Sequence, residues 1–113
     1  MNIVLPHEEY QGVFVEEYLE SESNGELIVY FERVNKIVVM NETMTCIWKL
    51  IISCISNESC SCLSIYDILA AIKMRFDMGL HHDDAVIVDI VEIIQELFDR
   101  ELILYKEFSP HVN

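Results

Sequence analysis

Basic residues are scarce in this chain: seven Lys and Arg stand against 20 Asp and Glu, for a formal net charge of −13. Affinity for nucleic acid comes largely from neutralising phosphates with Lys and Arg, so that shortage excludes DNA or RNA as the expected partner. Glycine and proline are also rare, three and two in 113 residues, which argues against a linker or low-complexity chain. Long hydrophobic runs are missing too. The strongest apolar stretch, Ile47 to Ile52, is interrupted by Lys49 and falls far short of the ~20 residues a membrane helix needs. The first residues, Met1 to Glu9, lack the basic start and apolar core of a secretory signal, so the expectation is a cytoplasmic protein with no membrane partner. Catalytic signatures such as a P-loop, G-x-S-x-G, H-E-x-x-H or a glycine-rich dinucleotide turn do not occur, and no cofactor is expected.

What is present is an apolar chain, 52% hydrophobic, of a length that suits one domain with a single core. Four cysteines without an export signal are read as reduced thiols rather than a disulfide framework. Cys46 and Cys54 fall in an apolar, helix-like run and are expected to be small core residues. Cys60-Ser61-Cys62 lies in a polar segment and, with His81 and His82, offers metal-ligand types, although the two-residue spacing of a zinc half-site is missing. No metal is therefore assigned. The negative charge is uneven. Residues 1–40 carry eight acidic and two basic groups and residues 83–101 seven and one, whereas 41–82 are nearly balanced. Such a surface favours a basic partner and speeds its encounter at low salt.

Periodicity gives the order of elements. Gly12 to Leu19 is rich in β-formers and reads as a strand. Ser21 to Gly25 reads as a turn, with Asn24-Gly25 a strong hairpin signal. Glu26 to Glu32 and Lys36 to Met40 follow as second and third strands around a short reversal at Arg33-Val34-Asn35. Asn41 then has the character of a helix N-cap, with Glu42 favoured in the first turn by the helix dipole. Met44, Ile47, Trp48, Ile51, Ile52 and Ile55 recur at helical spacing, and Ser56 to Cys62 break the pattern. Ser64 caps a second helix and Asp83 or Asp84 a third, which runs to about Arg100. Leu102 to Tyr105 reads as a last short strand. The fold class is thus α+β, winged-helix-like: a three-stranded antiparallel sheet followed by a three-helix bundle.

On a wheel, the apolar residues of the third helix, Val86 to Phe98, spread over about 160°, wider than the roughly 100° stripe that packing on a small domain needs. Some of that surplus is available to line a groove.

The order and spacing of several short matches resemble the PqqD-like family, peptide chaperones also described as recognition elements for ribosomally made, post-translationally modified peptides. Val39-Met40-Asn41-Glu42-Thr43 is similar to the family's "LNET" step into its first helix. Tyr66-Asp67-Ile68 resembles the opening of its second, and Asp89-Ile90, Ile93-Ile94 and Leu97 resemble its "DV..FL..L" pattern, followed by Leu102-Ile103. The likeness covers residues 13 to 105 of a single domain spanning 1–113. It departs between the first two helices, where Ser56 to Cys62 replace an Asp-Gly turn followed by threonine, and after the third helix, where Glu101 stands for a frequent glycine.

The resemblance implies a non-catalytic protein that holds the leader of a precursor peptide as an added strand. It then presents that peptide to a modifying enzyme such as a radical SAM protein. Physically, a small sheet leaves two edges whose free N–H and C=O groups can pair with such a segment. Lys36, Ile37, Val38 and Val39 are the expected docking strand, and Ile87, Val91, Ile94 and Phe98 the helix wall. Asp84 and Asp99 are the expected contacts for a basic or amphipathic leader. The same edge also permits pairing with a second copy, so a homodimer is a further expectation. The alternatives are a winged-helix DNA-binding regulator, which the charge argues against, and a small metal-binding adaptor built on Cys60, Cys62, His81 and His82.

Overall fold

The computed structural model describes residues 1–76 and 83–106. Nine elements follow one another: strands β1 (Asn2–Leu5), β2 (Glu8–Tyr10), β3 (Tyr18–Ser23), β4 (Glu26–Phe31) and β5 (Lys36–Met40), helix α1 (Glu42–Ser56), strand β6 (Cys62–Ser64), and helices α2 (Ile65–Arg75) and α3 (Asp83–Asp99). Among the described residues the fold is α+β, with three helices and two three-stranded sheets, ordered β2-β1-β6 and β3-β4-β5.

The β3-β4-β5 sheet follows from its turns. Asn24 and Gly25 take φ of 54° and 81°, the doubly left-handed pair of a two-residue hairpin turn, so Ser23 faces Glu26 and the strands zip from there. Counting back from that closure starts β3 at Tyr18, so of the Gly12 to Leu19 stretch expected from composition only Tyr18 and Leu19 are strand. Ser21 to Ser23 therefore belong to the strand, not the turn. Gly12 to Val15 instead form a connecting segment, in which Phe14 bridges Leu104 and absorbs the expected final strand into one antiparallel contact. Asn35, at φ 51°, closes the reversal into β5.

The first sheet corrects the sequence reading outright. Residues 2–10 form a hairpin, and β1 also pairs in parallel with β6, with Ile3 beside Leu63. Strands precede and interleave with the helices, so the architecture is not a simple three-stranded sheet followed by helices.

The helix starts are set by side chains. The Asn41 carboxamide accepts from the Met44 N–H at 2.8 Å, and Ser64 forms a reciprocal capping box with Asp67. Helix α3 ends in the i−5 and i−3 bonds of a Schellman turn, Leu102 N to Leu97 O and Glu101 N to Phe98 O, which puts Glu101 at φ 59° where glycine is usual. Leu102 then turns inward and is buried.

One core joins both sheets to the helices. Trp48 at its centre is fully buried, edge-on to Tyr18 and Phe31, and its indole N–H donates to Glu20 at 2.8 Å. Cys54 is a core residue as expected, but it is disulfide-bonded to Cys60, with a Cα separation of 5.3 Å. The end of α1 and the returning loop bring the two together, which corrects the reading of four free thiols. Cys46 and Cys62 are free.

Candidate peptide-binding edge

Among the described residues, β5 pairs with β4 alone, so its other side is a sheet edge. Which backbone groups lie on that side follows from register. Glu32 N–H donates to Glu17 O, so Glu32 directs its backbone toward the β3 side. Hydrogen-bonding direction alternates along an antiparallel strand. Tyr30 and Ile28 therefore also turn toward β3, while Phe31, Val29 and Leu27 turn toward β5. Their partners there are Lys36, Val38 and Met40. By the same alternation Ile37 and Val39 direct their N–H and C=O groups outward, where an added strand would bond.

Side chains divide in the same way. Val38 and Met40 are 5% and 0% exposed and belong to the core, whereas Ile37 and Val39 are 67% and 55% exposed. Of the four residues expected to dock a peptide, Ile37 and Val39 thus present both backbone and side chain. Lys36 is exposed at the start of the strand, and Val38 is committed to β4 and the core.

Immediately beyond the last residue of β5, a recess of about 260 Å³ opens between the start of α1 and the middle of α3, lined by Asn41, Thr43, Asp89, Glu92 and Ile93. Its lining holds two carboxylates, a half-buried isoleucine and no cation, a chemistry suited to a basic or amphipathic side chain.

The helix wall expected from sequence lies largely elsewhere. Ile94 is fully buried, and Phe98 stacks on Tyr10 at 3.9 Å between centroids, with Tyr105 edge-on to both. Ile94 is thus taken up by the core, and Phe98 packs α3 against Tyr10 of the N-terminal hairpin. Ile87 and Val91 are half-buried, and Asp84 and Asp99 are exposed at opposite ends of the helix. Asp99 is close enough to Tyr10 for its charge, behind burial and the hydrogen bond to Glu8, to help push that phenol well above its ordinary range. The recess is lined instead by the neighbouring positions Asp89 and Ile93, which are not among the residues expected for the wall.

No group of three or more metal-ligand side chains occurs among the described residues. Cys60 is in the disulfide, and His81 and His82 lie outside the described residues. No described helix is long and apolar enough to cross a membrane. The chain matches no protein-family model, and neither a curated protein nor a solved structure is significantly similar to it.

Proposed function

We propose that this protein is a peptide holder of the PqqD-like, winged-helix-related kind, which takes the leader of a ribosomally made precursor as a fourth strand on β5. It presents that peptide to a modifying enzyme, such as a radical SAM protein, and does no chemistry itself. The observation that carries the reading is the outer edge of β5, where Ile37 and Val39 are exposed beside the acidic recess of Asp89 and Glu92. Main-chain bonds to Ile37 and Val39 supply affinity that tolerates sequence change. The recess supplies selectivity for a basic residue that follows the added strand. The net charge of −13 draws such a leader in and keeps polyanions away.

The test is calorimetric titration with a precursor peptide encoded beside this chain, against wild type and Val39→Pro. Proline at 39 removes an outward N–H and leaves the bonds to β4 in place. Binding by wild type and its loss in a folded Val39→Pro variant is the expected result. Equal affinity in both removes β5 as the dock.

A further inference from the structure

The face of the β3-β4-β5 sheet turned away from the core is a second surface, distinct from the β5 edge. Register places its side chains in rows across the three strands: Leu19, Tyr30 and Ile37 in one, and Ser21, Ile28 and Val39 in the next. Leu19, Ile37 and Val39 are more than half exposed, and Ile28 and Tyr30 are half-buried by their neighbours. An apolar patch of this kind on a small acidic protein marks an interaction surface.

Its ends are charged with one sign. Glu26, opposite Ser23, closes the patch at the hairpin end. Glu17 and Glu32 close it at the other, and their carboxyls share a hydrogen bond that, with some desolvation, holds Glu32 above the usual carboxylate range. Arg33 lines the same recess as these two but is paired with Glu16 at 2.7 Å. Six residues of strand separate Glu26 from Glu32, or about 20 Å. That distance is spanned by about 13 residues of α-helix.

We infer that this face docks an amphipathic helix of another protein, one with a single apolar stripe and a basic residue at each end about 13 residues apart. A second copy of the chain is a poor occupant, because aligned face-to-face packing sets carboxylates against carboxylates at both ends. The inference does not depend on a peptide binding to β5, since Leu19 and Glu26 lie on the two strands away from that edge.

The test uses the full chain and two labelled synthetic helices with the same leucine stripe, one ending in lysines and one in glutamates. Fluorescence anisotropy should show saturable binding of the lysine-ended helix and at least about tenfold weaker binding of the other. Leu19→Asp should weaken the first by a similar factor, and Glu26→Lys with Glu32→Lys should reverse the preference between the two helices. Asp89→Asn with Glu92→Gln, in the recess beyond the end of β5 and off this face, should leave it unchanged, which separates this surface from the proposed peptide site. Equal binding of the two helices, no binding of either, or undiminished affinity in Leu19→Asp overturns the inference. So does a dimer in sedimentation that Leu19→Asp dissolves, because a second copy then covers the face. The helix exchange leaves the protein untouched, so its result stands even if a substitution unfolds the domain.

Discussion

The two outer strands of one sheet are guarded very differently. On β3 the outward-facing backbone belongs, by alternation, to Tyr18, Glu20 and Glu22, and two of those residues carry carboxylates on the core side of the strand. Glu20 accepts from the Trp48 indole and Glu22 pairs with Lys49 at 3.3 Å, so both charges are held at the edge. Inward-pointing charge on an outer strand is a common defence against unwanted pairing. On β5 the outward backbone belongs to Ile37 and Val39, and no acidic residue stands between Lys36 and Met40. One border of the sheet thus carries fixed charge and the other exposed apolar side chains, which is the contrast the proposed docking on β5 rests on.

The largest expected effect separates neighbouring positions on β5. Val38→Pro removes an N–H from the β4 ladder and strands a buried carbonyl on Val29, a loss on the order of 3 kcal/mol in urea unfolding. Val39→Pro should stay within about 1 kcal/mol of wild type, because its N–H faces outward. Similar losses in both would show that the assigned alternation is wrong and that β5 is not open in the stated register.

Next comes the guard on β3. Glu20→Ala leaves the fully buried Trp48 indole without its acceptor and should cost about 2 kcal/mol by thermal or urea melt. A cost near zero would mean that Glu20 is no fixture of the edge. Smaller and of opposite sign is Glu101→Gly. Relieving a left-handed, non-glycine residue at the end of α3 should stabilise by about 1 kcal/mol, slightly reduced by the lost contact with Arg33. Because α3 forms one wall of the recess, the variant should bind peptide no worse than wild type. Smallest is Glu22→Ala, whose pair with Lys49 is exposed on both sides and should be worth less than about 0.5 kcal/mol.

Much of this contrast was legible in the sequence where local chemistry decides the outcome. Asn24-Gly25, Asn41, Ser64 and the limits of β5 were readable because each rests on a turn or cap formed by neighbouring residues. β1, β2 and β6 were not, because they are three or four residues long and β1 meets β6 across some 60 residues of chain. The strand expected over Gly12 to Leu19 has the right residue types, but hairpin register assigns pairing to Tyr18 onward. For the proposed site, the sequence could give the limits of β5 but not which stripe of α3 lies near its end. A wheel gives the width of an apolar face, whereas packing of Phe98 on Tyr10 decides which rim turns to β5. The Cys54–Cys60 link was hidden for a similar reason, since it depends on where α1 stops and how the loop returns.

The most direct test is amide hydrogen exchange at residue resolution on the free protein and after addition of the precursor peptide. Free, Ile37 and Val39 should exchange much faster than Val38 and Met40; with peptide bound, those two amides should slow while Tyr18 and Glu20 on β3 stay as they were. Protection of Ile37 and Val39 before any peptide is added, or protection that develops on β3 instead, would contradict the open-edge account.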